Sequence, residues 1–299
     1  MNQQPKLLIT GASGYTGYHA CEIFAKFGFD ITAVVHKRPY INKGIKWEVC
    51  NLCNEEEIKN LITKVKPEYV LHLAGQNNVG DSWEKPIYSL EVNSMATAYL
   101  IEAIRQENPG CKILIVGSTL QFNSASSSSF NHPYGLSKTL QSLIAQFWAT
   151  LYNMHIVIAK PSNLIGPGFT TGVCSNFAKK IVNMKRDGVK SVLEVSNLDY
   201  SFDFLDVRDA VRAYHVLLLK GESGEIYDVS SGKSKSLGEI INIFREITKV
   251  NFEVKSYQNS DKQKKVNISP LKLNKIGWQP TIPLKSSLKD TIDFYIIND

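Results

Sequence analysis

Lys6-Leu-Leu-Ile-Thr-Gly-Ala-Ser-Gly-Tyr-Thr-Gly17 joins a short apolar run to three glycines that recur at every third position. The run predicts a buried strand, and the amphipathic segment from His19 to Phe27 predicts a helix. Glycines in such a turn let the backbone approach a ligand closely, and the N-terminus of the following helix then faces an anion. This context predicts a pyrophosphate cradle for a dinucleotide, formed by Gly11, Ser13, Gly14, Tyr15, Thr16 and Gly17.

The end of the second predicted strand, Asp30 to Val35, distinguishes between the two nicotinamide dinucleotides. An acidic residue at this point binds the ribose hydroxyls of NAD. Here the strand is followed by His36, Lys37 and Arg38, which bring cations to where a 2′-phosphate would lie. The sequence therefore predicts a preference for NADP(H), with NAD(H) as the alternative.

Apolar runs alternate with amphipathic segments through the first half of the chain. Further strands are predicted at 46–49, 69–73, 112–116 and 155–159, and further helices at 55–65, 87–106 and 137–152. This alternation predicts an α/β fold with a doubly wound parallel sheet covered on both faces. The alternation breaks after Pro161, so we expect residues 1–161 to form the dinucleotide-binding domain and residues 162–299 mainly a smaller substrate-binding lobe. Residues 226–229 are a candidate strand that returns to the main sheet.

A phenol and an ammonium lie four residues apart in Tyr134-Gly-Leu-Ser-Lys138, sixteen residues after Ser118. On a helix these two side chains share one face. An ammonium beside a phenol stabilises the phenolate, so we expect Lys138 to lower the pKa of Tyr134. The Ser118 hydroxyl is a candidate holder of the substrate oxygen that exchanges the proton. His132 is either a further proton donor or an ordinary loop histidine.

Composition limits the partners and the compartment. The 299 residues are 43% hydrophobic and 21% charged, as in an ordinary globular protein. The net charge of +6 comes from dispersed basic residues, so nucleic acid is not an expected partner. No apolar run approaches the roughly 18–20 residues of a membrane span, and the N-terminus lacks the features of a signal peptide. Five scattered cysteines predict a reducing cytoplasm, and the pair at 50 and 53 lacks the further ligands of a metal site.

The order of these motifs resembles that of the extended short-chain dehydrogenases/reductases, in particular the nucleotide-sugar epimerases, dehydratases and 4-ketoreductases. The matching pieces span essentially the whole chain: Gly11–Gly17, His72-Leu-Ala-Gly75, Asn93, Val116-Gly-Ser118, Pro133-Tyr-Gly-Leu-Ser-Lys138, Pro161-Ser-Asn163, Asp206-Val-Arg-Asp209 and Gly277-Trp-Gln-Pro280. Within the group, Asp81-Ser-Trp83 and the stretch from Asn176 to Val182 are similar to reductases of 4-keto-6-deoxy sugars. The resemblance implies a Rossmann-type domain and a homodimer packed through the helices around 95–106 and 138–152.

The resemblance also implies a role for each matching position. Tyr134 would be the acid/base, Lys138 would bind the nicotinamide ribose while tuning Tyr134, and Ser118 would anchor the sugar C4 oxygen. The other implied cofactor contacts are Asn51 beside adenine, Asn93 in support of the active-site lysine, and Leu52, Leu73, Ala74, Gly75 and Pro161. The implied contacts of the nucleotide-diphosphate sugar, besides Ser118, are Gln76, Asn77, Asn163 and Asn176.

Three departures from the family pattern bear on the reaction and the substrate. The 4,6-dehydratases carry an Asp-Glu pair after the catalytic hydroxyl residue, whereas Thr119 and Leu120 follow Ser118, so elimination of water lacks its acid and base. Asn51 replaces an acidic residue. Phe202 replaces an arginine that usually clamps the substrate pyrophosphate, and no arginine accompanies Asn259-Ser-Asp261. The candidate substitutes for these arginines are Lys262, Lys264 and Lys265.

A net reductase exchanges its cofactor at every turnover, which suits NADPH, so the basic turn at 36–38 favours reduction. The sequence therefore predicts NADP(H)-dependent reduction of the C4 keto group of a nucleotide-linked 4-keto-6-deoxy sugar. One alternative is an epimerase or a 4-oxidising dehydrogenase with tightly bound NAD(P). Another is a non-catalytic dinucleotide-binding regulator, although such regulators commonly lack the Tyr/Lys pair.

Overall fold

The computed structural model describes residues 4–37, 44–122, 131–188, 192–257 and 268–299. Arg38, Asn259-Ser-Asp261 and Lys262, Lys264 and Lys265 lie outside the described residues. The chain divides into two compact units. The first unit comprises residues 1–161, 211–228 and 272–278, and the second comprises residues 162–210, 229–271 and 279–299.

The elements of the described residues follow in chain order. The strands are β1 (Lys6–Thr10), β2 (Asp30–Val35), β3 (Lys46–Val49), β4 (Tyr69–His72), β5 (Lys112–Val116), β6 (Ile156–Pro161), β7 (Asn163–Ile165), β8 (Val192–Val195), β9 (Ser201–Asp206), β10 (Ile226–Val229), β11 (Ser234–Ser236) and β12 (Glu253–Ser256). The helices are α1 (Tyr15–Lys26), α2 (Glu55–Val65), α3 (Val79–Glu84), α4 (Pro86–Leu90), α5 (Ala96–Glu107), α6 (Pro133–Leu151), α7 (Val173–Asp187), α8 (Val207–Lys220), α9 (Leu237–Thr248), α10 (Leu271–Lys275) and α11 (Leu284–Asn298).

A seven-stranded sheet in the order β10-β6-β5-β4-β1-β2-β3 forms the centre of the first unit. All neighbouring pairs from β6 to β3 are parallel. The predicted doubly wound α/β fold is confirmed, and residues 226–229 form β10 at one edge of this sheet. The winding direction reverses between β1 and β4, and at such a point the crevice beyond the carboxyl ends of the strands accepts ligands.

Apolar side chains cover both faces of this sheet. Leu8 belongs to a core cluster that also contains Ile62 of α2, Leu100 of α5 and Ala145 of α6. Side chains alternate along a strand, so Leu7 and its neighbours at odd positions face the other way, and they are fully buried as well. This burial on both sides explains why the strands read as continuous apolar runs.

Two helices begin earlier than their apolar periodicity predicts. Helix α1 begins at Tyr15 instead of His19, because the glycine turn itself enters the first helical turn. Helix α6 begins at Pro133 instead of Ser137, since proline suits the first helical position and His132 caps the end.

The predicted helix over 87–106 forms as a contiguous helical run from Pro86 to Glu107, but it contains a π-helical turn that the sequence did not predict. Helix α4 is followed by a π-helical turn, Glu91–Met95, before α5 begins. Asn93 and Ser94, at the centre of this turn, are buried. Such turns carry one extra residue and are frequent at functional sites.

The second unit has its own sheets and core. The three-stranded sheet has the order β11-β9-β7, and β8 pairs with β12 in parallel. Helices α7, α9 and α11 enclose an apolar cluster against which the ring of Phe202 packs. The Asp209 carboxylate accepts hydrogen bonds from the backbone amides of Thr281 and Ile282, so it holds the start of the C-terminal segment. Among all the described residues, no helix is both long and apolar enough to cross a membrane.

Candidate active site

A cavity of about 540 Å³ lies at the carboxyl ends of β1, β2, β3 and β4. The lining includes most of the predicted cofactor contacts and one predicted substrate contact: Gly11, Ser13, Gly14, Tyr15, Thr16, Gly17, His36, Asn51, Leu52, Leu73, Ala74, Gly75 and Asn77. It also includes Cys50, Cys53, Tyr88 and Glu91, which sequence reasoning missed. Lys37 is exposed and does not belong to this lining.

The glycine turn is packed too tightly for larger residues. Gly11 has a φ of +67°, and a Cβ there would lie 2.7 Å from the backbone nitrogen of Ala74. A Cβ at Gly17 would lie 2.2 Å from the Gly11 carbonyl oxygen. The backbone of β1, the turn and the loop after β4 therefore meet without intervening side chains.

These residues fit a dinucleotide. Gly14 is the N-cap of α1 and offers no side chain to accept from the first helical N–H groups, so this end of the helix suits the pyrophosphate. Asn51 lies two residues after the end of β3, and its side-chain oxygen accepts a hydrogen bond from the Cys53 backbone N–H at 3.1 Å. Among the described residues, no group of three or more His, Cys, Asp or Glu side chains is arranged to hold a metal.

Helix α6 presents the predicted catalytic pair, and its first turn is anchored by side chains. The Ser82 hydroxyl accepts from the Tyr134 backbone at 3.1 Å, and His132 Nδ1 accepts from the Gly135 backbone at 2.8 Å. These acceptors satisfy helical N–H groups that have no partner within the helix. His132 therefore serves as a helix cap, and Ser82, which lies in the quoted Asp81-Ser-Trp83, is a positioning residue that sequence reasoning missed.

Tyr134 and Ser118 meet at the end of β5. Both side chains are buried, and the Ser118 hydroxyl hydrogen-bonds with the Tyr134 phenol. Burial raises the pKa of Tyr134, and the hydrogen bond with Ser118 lowers it by a smaller amount. The expectation that Lys138 lowers this pKa is wrong, because burial outweighs the lowering and Ser118 is its source, so Tyr134 is a protonated phenol near neutral pH.

The Lys138 ammonium is bound by two uncharged acceptors. It donates to the Val116 carbonyl oxygen at 3.1 Å and to Gln141 Oε1 at 2.9 Å. Burial lowers the pKa of Lys138 to about 8. The shared helical face thus brings the two residues to one site, where the ammonium binds Val116 and Gln141 and the phenol binds Ser118.

Asn93 joins the loop after β4 to helix α6. Its amide oxygen accepts from the Gln76 backbone at 2.8 Å, and its amide nitrogen donates to the Gln76 carbonyl at 3.0 Å and to the Ser137 hydroxyl at 2.8 Å. Asn93 makes no hydrogen bond with Lys138 among the described residues. The Gln76 side-chain oxygen is buried and has no hydrogen-bond partner in the described part of the chain.

The remaining predicted contacts lie outside the cavity. Pro161 ends β6, and its carbonyl accepts from the Thr119 backbone at 3.3 Å. Asn163 is exposed in the second unit, where its amide donates to the Asp203 carbonyl at 3.1 Å. Asn176 lines a separate cavity of about 610 Å³ within the second unit, together with Lys180 and Glu194.

A buried polar chain lies behind the glycine turn. His72 is completely buried between Thr10 Oγ1, 2.7 Å from its Nδ1, and Thr97 Oγ1, 2.9 Å from its Nε2. Thr97 donates its own proton to the Asn93 carbonyl, so it accepts from His72, whose proton lies on Nε2. Burial, together with the nearby Lys138 charge, lowers the pKa of His72 to about 3.

This histidine should make the protein sensitive to acid. Its pKa is about 3 in the folded chain and near 6.5 in the unfolded chain, so the unfolded chain binds the extra proton between these values. Its stabilising contribution is complete above pH 6.5 and falls by about 3 kcal/mol by pH 4, at 1.36 kcal/mol per pH unit. The unfolding free energy of His72→Gln, from urea titrations at both pH values, should fall less steeply. A His155→Gln control should retain most of the slope, and equal slopes in all three proteins would contradict the assignment.

Known proteins match the chain throughout its length. The model of the NAD dependent epimerase/dehydratase family matches residues 7–230, a range that contains the whole cavity lining and helix α6. GDP-6-deoxy-D-mannose reductase of Pseudomonas aeruginosa is 28% identical over 95% of this chain and 95% of its own length. dTDP-D-glucose 4,6-dehydratase of Mus musculus is 26% identical over 97% of this chain and 88% of its own length. The structure of RMD from Pseudomonas aeruginosa complexed with NADPH has a TM-score of 0.85 and 27% identity, and the match covers 99% of both chains.

Proposed function

Because the chain belongs to the NAD-dependent epimerase/dehydratase family, we propose that it uses NADPH to reduce the C4 keto group of a nucleotide-linked 4-keto-6-deoxy sugar. The observation that carries this proposal is the buried Tyr134 phenol held by the Ser118 hydroxyl. A relative that covers nearly all of the chain is a GDP-6-deoxy-D-mannose reductase, and a related structure contains NADPH. Both facts support reduction over the other reactions of the family.

The residues of the chain divide the work of such a reduction. The cavity beside Gly11–Gly17 would hold the dinucleotide, which supplies a hydride when it is bound. Ser118 would orient the C4 oxygen by a hydrogen bond, and Tyr134 would donate a proton to that oxygen as its charge develops. Since burial raises the pKa of Tyr134, the phenol is protonated near neutral pH, which is the state that a proton donor needs.

Turnover tests this function directly. The purified protein is incubated with NADPH and with GDP-, UDP-, dTDP- and CDP-linked 4-keto-6-deoxy hexoses, and the absorbance of the reduced nicotinamide is followed. We expect consumption of NADPH with at least one sugar and a product that carries a C4 hydroxyl. No consumption, together with NAD retained through purification, would instead favour the epimerase or 4-oxidising dehydrogenase. If the protein neither consumes NADPH nor retains a nucleotide through purification, the result would favour a regulator.

The basic turn after β2 should determine the choice of dinucleotide. Lys37 is exposed and so is free to meet a 2′-phosphate, and Arg38 follows it in the sequence. Removing both cations in Lys37→Ser/Arg38→Ser should weaken NADPH binding roughly ten- to hundredfold, because hydrogen bonds to a charged group contribute that much to affinity. NADH, which lacks the 2′-phosphate, should bind nearly as before. Calorimetric titration measures both Kd values. The double variant Lys59→Ser/Lys64→Ser on α2 changes the net charge equally and should preserve the preference; an equal loss there would assign the effect to net charge.

We also propose that the protein is a homodimer that packs through α6. Leu136, Leu140, Leu143, Phe147 and Leu151 recur at helical spacing on this helix, and all five are exposed. Phe147 and Leu151 expose 58% and 68% of their surface, and such a contiguous apolar stripe marks a protein–protein contact. Phe147→Glu should give a monomer by light scattering, while Thr63→Glu, which adds the same charge at an exposed position of α2, should leave the dimer intact. A wild-type protein that is already monomeric would contradict the assignment.

A further inference from the structure

Gln141 gives the Lys138 ammonium its side-chain acceptor. It lies three residues further along α6 and is completely buried, and its Oε1 is 2.9 Å from Lys138 Nζ. An ammonium has donors only, so the amide oxygen of Gln141 faces the lysine and the amide nitrogen faces the other way. That nitrogen donates to Thr97 Oγ1 at 2.9 Å.

Thr97 fixes the direction of every hydrogen bond in this group. Its single proton goes to the Asn93 carbonyl at 2.7 Å, so its oxygen accepts from both Gln141 and His72. His72 in turn accepts at Nδ1 from Thr10, whose oxygen accepts from the Ala74 backbone at 3.2 Å. The orientation of the Gln141 amide is therefore determined at both of its ends, because a reversed amide would direct donors toward the ammonium.

We propose that Gln141 is a positioning residue, which holds the Lys138 ammonium through its amide oxygen and is itself held by Thr97 and His72. This proposal rests on the proposed function in one respect, because it is that function which gives Lys138 a part in the reaction. Gln141 is completely buried, so it acts through Lys138 and not on a ligand. The chain of hydrogen bonds also ties the lysine to Thr10, the last residue before the glycine turn.

The Gln141 acceptor is important because, among the described residues, no negative charge lies beside the Lys138 ammonium. In the described structure burial is the cause that shifts the pKa of Lys138, and no carboxylate raises it. The titratable neighbours are His72 on β4, which is neutral, and Tyr134 on α6, whose pKa burial raises. The ammonium therefore depends on two uncharged acceptors, the Val116 carbonyl and the Gln141 amide.

Three variants of α6 test the proposal. Gln141→Met keeps the shape of the side chain and removes the acceptor, whereas Gln141→Glu keeps an acceptor and adds a negative charge. Gln146→Met is the matched control, since Gln146 lies on the same helix and donates to the Gly224 carbonyl at 3.1 Å. Each variant is compared with its own Lys138→Met double variant.

The first measurement is the pH dependence of the unfolding free energy without nucleotide. The pKa of Lys138 is about 8 in the folded chain and about 10.5 unfolded, so the unfolded chain holds an extra proton between these values and stability rises with pH across that window. Lys138→Met lacks this rise, and the difference between the two proteins isolates it. We expect Gln141→Met to move the start of the rise down by roughly one to two pH units, Gln141→Glu to move it up, and Gln146→Met to leave it unchanged.

The second measurement is the Kd for NADPH over the same pH range. The pH at which binding weakens should move in the same order, down in Gln141→Met and up in Gln141→Glu. If the unfolding free energy starts to rise at the same pH in all variants, the proposal is overturned, even if every variant is less stable than the wild type. Opposite shifts without turnover of any sugar would contradict the proposed function alone, and turnover with unmoved profiles would contradict the role of Gln141 alone.

Discussion

Tyr134→Phe is expected to lower kcat for NADPH-dependent sugar reduction by about 10²–10⁴-fold, the usual contribution of a positioned proton donor. Phenylalanine fills the same buried space beside Ser118 but carries no proton. The Kd for NADPH should change little, because the glycine turn and the loop after β4 line the cavity without the Tyr134 phenol. Steady-state kinetics and a nucleotide titration on the same sample separate the two effects.

Tyr214→Phe is the matched control for this experiment. The Tyr214 phenol is also buried, and its oxygen has no hydrogen-bond partner among the described residues. Removing that oxygen should leave kcat unchanged and should not reduce the unfolding free energy, since a buried unpaired hydroxyl costs stability. If Tyr134→Phe retained most of the wild-type activity, Tyr134 would not be the proton donor.

Gly17→Ala should abolish measurable dinucleotide binding. The added Cβ would lie 2.2 Å from the Gly11 carbonyl and 2.7 Å from the Ala12 Cα, and both contacts are with backbone that cannot swing aside. The turn must then open, which separates the groups that face the pyrophosphate and costs about 1–3 kcal/mol as in other overpacked sites. Calorimetric titration with NADPH and thermal unfolding measure the two losses.

Gly110→Ala is the corresponding control. Gly110 lies in the turn before β5, where a Cβ would have no described atom within 4 Å. Its binding of NADPH and its Tm should match those of the wild type. Wild-type affinity in Gly17→Ala would show that the turn does not cradle the dinucleotide.

The sheet could be predicted from the sequence because burial on both faces leaves a clear pattern. Runs such as Lys112–Val116 are almost wholly apolar, so their strands and their parallel order follow from composition and connection rules. The starts of α1 and α6 were placed too late because their first turns are marked by glycine, proline and a histidine cap instead of apolar periodicity. The π turn leaves no periodic signal of its own, so the sequence predicts the helix but not the turn within it.

The candidate site was predictable where one segment supplies several groups. Tyr134 and Lys138 lie on one helix, and the glycine turn follows one strand. The direction of the lysine side chain was not predictable, because four flexible carbons can direct the ammonium to several acceptors. Nor was the chain of Thr10, His72, Thr97 and Gln141, since its members come from four elements and each residue type is common. The signal for this chain of hydrogen bonds was Gln141, a polar residue three positions after Lys138 on the buried face of α6.

The π turn at Glu91–Met95 determines where the length of this helix can change. A π turn carries one residue more than an α-helical turn, so a chain that lacks one residue here can form an uninterrupted α-helix and keep the segments before and after the turn in place. Asn93 and Ser94 would then lose the positions from which they reach Gln76 and Ser137. Homologous chains that keep these contacts should therefore align through the turn without gaps, and a gap of one residue at this point should coincide with the loss of the asparagine.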